Sequence, residues 1–144
     1  MTDTNETQKT YSAMDLLATA EVSEPLRTGI YTATYLRSKV RHSSLAKRSF
    51  LEHFFDIIDA KNEKPVMISV YSSLSAKKSN KPEYDTKLYK IITSLLQRPL
   101  VDKEPVKTAD LTGKKCKVFI EEKDGYNDLT EFYREDEETP YDSM

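Results

Sequence analysis

The stretch Asp85–Pro99, DTKLYKIITSLLQRP, is where a chain otherwise patterned for strands switches to a helical period. Leu88, Ile91, Ile92, Leu95 and Leu96 recur at i, i+3, i+4, i+7 and i+8, which gathers apolar side chains on one helix face. Asp85 stands where an N-cap is needed, and Pro99 cannot continue a helix. That spacing is the mark of a core-facing helix.

On the N-terminal side, Val66–Tyr71 reads as a strand in which Val66, Ile68 and Val70 share a face. It is joined to the helix by a stretch from Ser72 to Tyr84 that holds Lys77, Lys78 and Lys81 among Ser, Asn and Pro, an exposed basic loop. Phe50–Asp59 precedes it, after a turn at Lys61–Pro65. Leu51, Phe55 and Ile57 lie on one side of that segment and Phe50, Phe54 and Ile58 on the other. Apolar on both sides, it is expected to be a central strand, with a helix as the alternative. Earlier still, Gly29–Arg41 is rich in Tyr, Thr, Ile and Val and reads as a long strand. Strict alternation puts Tyr31, Ala33, Tyr35, Arg37, Lys39 and Arg41 on one face and Ile30, Leu36 and Val40 on the other.

Beyond the helix, residues 99–110 are a connection. A fourth strand within Leu111–Glu122 points Cys116, Val118 and Ile120 inwards and Lys115, Lys117 and Phe119 outwards. Lys123-Asp-Gly125 is a hairpin turn, because Asp-Gly readily adopts positive φ, and Tyr126–Tyr133 is the fifth strand. The expected order is therefore β-β-β-α-β-β in a β-rich domain spanning 27–134. A short helix led by Ser12, with Met14, Leu17 and Ala18 as its stripe, is expected within an acidic N-terminal segment 1–26. The last ten residues are expected to be a disordered acidic tail. Among small β-rich domains this order is that of the OB-fold, a five-stranded Greek-key barrel with its helix between strands three and four.

Charge is sorted along the chain. Residues 27–123 carry 20 Lys and Arg against 11 Asp and Glu, a balance of +9, whereas residues 1–26 balance to −4 and residues 124–144 to −7. The overall −2 thus hides a basic body between acidic ends. A basic body suits a polyanion, whose neutralised phosphates release counterions. Sequence-tolerant binding of a single strand further needs exposed aromatic faces for the bases. Tyr31 and Tyr35 with Arg37, Lys39 and Arg41 on the first strand offer both. Lys47, Arg48, Lys77, Lys78 and Lys81 add cations in the connections, Tyr71 and Phe119 are the expected stacking platforms of the third and fourth strands, and Lys115 and Lys117 share the outward side with Phe119.

Several short stretches resemble a family of small phage proteins from replication and recombination modules: GIYTA at 29–33, SFLEHFFDI at 49–57, LTGKKCKVFI at 111–120 and GYND at 125–128. These proteins are similar to single-stranded DNA-binding proteins of OB type. The resemblance covers roughly residues 28–133. It implies a protein that coats single-stranded DNA in a phage-infected bacterial cytoplasm. It also implies a C-terminal tail, Glu135, Asp136, Glu137 and Glu138 followed by Pro140, Tyr141 and Asp142, that recruits replication or recombination proteins. Bacterial tails of this kind end in acids followed by Pro-Phe; here the acids lead to TPYDSM, a departure from that pattern. Self-association into a homo-oligomer is compatible with the resemblance.

Other chemistries find little support. The three glycines form no phosphate-binding loop, and the carboxylates show no pairing of hydrolase or nuclease type. His42 and His53 lack partners at metal-ligand spacing, so no metal, cofactor or enzymatic activity is expected. The single Cys116 excludes an internal disulfide and reads as a small buried hydrophobe, in keeping with a reducing cytoplasm. The polar N-terminus resembles neither a secretory signal nor a transit peptide, and no stretch approaches the about 18–20 apolar residues of a membrane span. A reading of another class is a protein-interaction adaptor or inhibitor whose charges are ordinary solvated surface; scattered rather than clustered cations would favour it.

Overall fold

The computed structural model describes residues 25–59 and 65–140. Five strands, β1 (Gly29–Ser43), β2 (Arg48–Ile58), β3 (Val66–Ser72), β4 (Lys115–Lys123) and β5 (Tyr126–Tyr133), form one antiparallel sheet in the order β3-β2-β1-β4-β5. Helix α1 (Lys87–Leu96) lies between β3 and β4, preceded by a 3-10 turn at Pro82–Tyr84 and followed by the short helix α2 (Thr108–Leu111). Neither of these two short elements is signalled by apolar periodicity. The expected turn at 61–65 and the helix led by Ser12 fall largely outside the described residues. Among the described residues no helix is long and apolar enough to cross a membrane.

The sheet curls but is not closed into a barrel: β3 and β5 are its edges, and no ladder joins them among the described residues. β2 and β5 are three strand spacings apart, about 14 Å if flat. Yet the rings of Phe55 and Phe132 meet at 5.9 Å on the concave side. There Ala33, Phe55, Ile57, Cys116, Val118, Ile120 and Leu129 form the core, with Leu88, Ile91, Ile92 and Leu95 of α1 packed over them. Burial pushes the Cys116 thiol up to about 12, as suits a packing residue.

The helix is capped one residue later than its sequence suggests. The Thr86 hydroxyl accepts the Tyr89 amide at 3.4 Å, while the Asp85 carboxylate is taken by the Ser79 amide at 2.6 Å. Gln97, in the left-handed conformation with φ 63°, ends α1 before Pro99 is reached. At the β4–β5 hairpin, Asp124 and Gly125 have φ of 49° and 86°, the positive values the turn demands. A Cβ on Gly125 would meet nothing within 4 Å. Gly125→Ala is therefore expected to cost about 1 kcal/mol in urea unfolding, through backbone strain alone.

Two ends depart from expectation. Leu26, assigned to the N-terminal segment, belongs to the core, and its backbone N–H and C=O are both bonded to the Asn127 side chain, at 2.8 and 2.7 Å. The acidic stretch Glu135–Pro140, expected to be disordered, is folded back: Glu135 N–H donates to Gln97 Oε1 at 3.1 Å, and Thr139 is buried. Side chains remote in sequence, Gln97 and Lys117, hold its backbone, and acidic composition cannot reveal them.

Candidate nucleic-acid interface

The sheet's outer face, opposite the core, is set by one irregularity in β1. Tyr35 pairs with Phe55 and Arg37 with Phe54, leaving Leu36 as an extra residue in a β-bulge. The bulge reverses the alternation. Before it, Tyr31, Ala33 and Tyr35 point to the core side; after it, Arg37, Lys39 and Arg41 point outwards beside Phe54, Glu52 and Phe50 of β2. The expectation that two tyrosines and three cations share a face is thereby corrected. Tyr35 is fully buried, and Tyr31 packs against the core with its hydroxyl donating to the Arg27 carbonyl at 2.7 Å. The Tyr35 ring therefore offers no face to a base, and Tyr31 is only partly exposed.

The other expected residues of the sheet do gather. Lys115, Lys117 and Phe119 stand opposite Thr34, Thr32 and Ile30 on the outer side of β4. Tyr71 lies opposite Glu52 on the outer side of β3. The outer face thus carries Arg37, Lys39, Arg41, Lys115 and Lys117, with Tyr71 and Phe119 on flanking strands.

Its rings and charges are already organised. The Arg37 guanidinium carbon lies 4.5 Å from the centre of the Phe54 ring and the Lys39 ammonium 5.8 Å from it, so Phe54, itself buried, is a cushion beneath two cations. Phe50 and Tyr71 meet edge to face at 5.3 Å, and Tyr71 remains 54% exposed. With Arg48, Ser49, Ser72 and Ser73 they line a depression of about 590 Å³. Glu52, almost fully buried, ties the two sides together: it accepts from Arg41 Nε at 2.7 Å and from the Ser69 and Tyr71 side chains. Burial alone would raise its carboxyl, but these donors hold it below the usual carboxylate value. Phe50, Glu52 and Phe54 are missing from the sequence-derived set. Their signal lies in the carboxylates Glu52 and Asp56, which alternate with the rings and mark that side of β2 as one the core does not own.

The connections divide. Lys47 and Arg48 sit at the exposed tip of the β1–β2 hairpin, and Arg48 reaches the Phe50–Tyr71 depression. Lys77 and Lys78 instead line a cleft against α1, and Lys81 leads into the 3-10 turn. On β4, the Lys117 ammonium donates to the Glu137 carbonyl at 2.8 Å, so the folded-back tail occupies one cation of the outer face. Glu137 also pairs with Arg134 at 3.8 Å. Tyr141 and Asp142 lie outside the described residues.

Behind the face runs a buried chain of hydrogen bonds. Ser72 Oγ donates to the Ser73 carbonyl at 2.9 Å, so His53 Nε2–H must donate to Ser72 Oγ at 2.7 Å, leaving Nδ1 to accept from the Tyr35 hydroxyl at 2.8 Å. Desolvation by burial, helped by the Lys87 charge, lowers His53 to about 4, which keeps the ring neutral. The chain spans three strands and locks the backbone beside Tyr71.

The chain matches no protein-family model, and no curated protein is significantly similar to it.

Proposed function

We propose that the protein binds single-stranded DNA without catalysis, its backbone tracked by Arg37, Lys39, Arg41 and Lys115 and its bases stacked over the Phe50–Tyr71 pair. The observation that carries this reading is the gathering of these cations and of an aromatic pair, its Tyr71 exposed, on the sheet face that the core does not use. Sequence-tolerant binding needs both ingredients side by side. Support for the OB-fold comes from the element order, the helix between β3 and β4, and edge strands β3 and β5 brought near each other as at an open barrel seam. The residue resemblance adds the role of coating strands in a phage replication or recombination module. The tail, whose Glu137 carbonyl takes the Lys117 ammonium, competes with phosphate at that end of the face.

Tyr71 provides the test. Tyr71→Ala is expected to weaken binding of a labelled oligo-dT by about 1–3 kcal/mol, the worth of one stacked base. Tyr71→Phe, which keeps the ring and loses only the hydroxyl held by Glu52, is expected to stay close to wild type. Equal binding by the alanine variant in an anisotropy titration would remove Tyr71 as a platform.

A further inference from the structure

A second surface lies against α1, where Leu74, Leu88, Ile92, Leu100 and Val101 line a cleft of about 620 Å³. Leu74 and Val101 are 52% and 70% exposed, unusual for aliphatic side chains placed together. Lys77, Lys78 and Lys103 line it too and form no ion pair with any described residue. Of the two carboxylates in the lining, Glu104 is bound bidentately by Arg98 at 2.6 and 3.1 Å, leaving Asp102 alone against three lysines.

Both walls are braced. Lys77 exchanges backbone bonds with Thr86, its N–H donating to the hydroxyl at 2.8 Å and its carbonyl accepting the Thr86 amide at 3.0 Å. The opposite wall is held by the Arg98–Glu104 pair and by the Val101 amide, which donates to Glu104 Oε1 at 3.1 Å. The Arg98 and Val101 donors hold the Glu104 carboxyl down at about 2, so this brace stays ionised throughout the neutral range. Tyr89, also in the lining, buries a hydroxyl that has no hydrogen-bond partner among the described residues. An aliphatic floor without an exposed ring gives a nucleobase nothing to stack on, and a preformed groove spares its ligand the cost of ordering it.

We propose that this cleft docks an acidic, amphipathic peptide segment of a partner protein, its apolar side chains at helical spacing over Leu74 and Val101 and its carboxylates on Lys77, Lys78 and Lys103. The docked segment supplies what the cleft lacks, negative charge and aliphatic cover, as in helix-in-groove recognition. The cleft shares no lining residue with the Phe50–Tyr71 depression, so both ligands are expected to bind together.

The test is fluorescence anisotropy on the full chain with a labelled designed peptide, leucines at i, i+3, i+4 and i+7 and glutamates opposite. Wild type is expected to bind it, and its Glu→Gln analogue about tenfold or more weakly. Val101→Asp and the double variant Lys77→Glu, Lys78→Glu, both on exposed positions, are expected to lose at least about tenfold with unchanged circular dichroism. Tyr71→Ala is expected to bind the peptide like wild type, which separates this surface from the proposed DNA site whatever becomes of that site. No peptide binding, binding indifferent to these variants, or displacement of the peptide by oligo-dT would overturn the proposal; the last would assign the cleft to nucleic acid.

Discussion

Acidification from pH 6.5 to about 4 is expected to remove up to about 3 kcal/mol of stability through His53 alone. Burial lowers the folded imidazole to about 4, whereas the unfolded one titrates near 6.5. Between those values the unfolded chain takes up a proton that the folded chain refuses, so stability falls as pH falls. Above 6.5 both states are neutral and the contribution is whole; below about 4 both are protonated and the loss is complete. Carboxylates titrate in the same range, so the measurement is a comparison. Glutamine at 53 can accept from Tyr35 and donate to Ser72, yet it does not titrate. Urea unfolding of wild type and His53→Gln across this window is expected to show a steeper decline in wild type. Parallel curves would mean that His53 is protonated as easily folded as unfolded.

Neutralising Arg37, Lys39 and Arg48 together, each to Gln, is expected to weaken oligo-dT binding about a hundredfold at 0.1 M salt. It should also flatten the slope of log K against log salt by about 2, since each phosphate contact to a single strand contributes about 0.7. Arg41 is left in place because removing it would strand the buried Glu52 carboxylate without its nearest cation. Gln keeps much of the aliphatic stem, so packing over Phe54 is largely retained and the change isolates charge. An unchanged salt slope in a titration series would show that these cations do not meet phosphate.

What the sequence made legible, and what it hid, follows from which signals are local. On β4 nothing interrupts the pleat between Lys115 and Phe119, so alternation assigned both faces correctly: Cys116 and Val118 are buried, with Lys115 and Lys117 outward. On β1 the same rule failed at Leu36, because a bulge is a property of the strand pair. Ala33 hints at it: so small a residue, opposite Ile57 and Cys116, belongs in a core rather than between exposed tyrosines. The helix was clear from its apolar spacing, but its cap was not, since Asp85 and Thr86 are both good caps and only the Ser79 amide decides between them. Lys77 and Lys78 show the limit for loops: composition marks them as exposed and basic without saying which surface they join. The acidic residues before Pro140 look like a solvated run until Gln97 and Lys117 are brought alongside.

The central claim is that the outer face binds single strands. Its most direct test is fluorescence anisotropy of a labelled oligo-dT with the full chain over a salt series, beside a duplex of equal length. The account predicts preference for the single strand, with log K falling linearly as log salt rises. Absence of binding at the lowest salt, or duplex bound as tightly as the single strand, would contradict it.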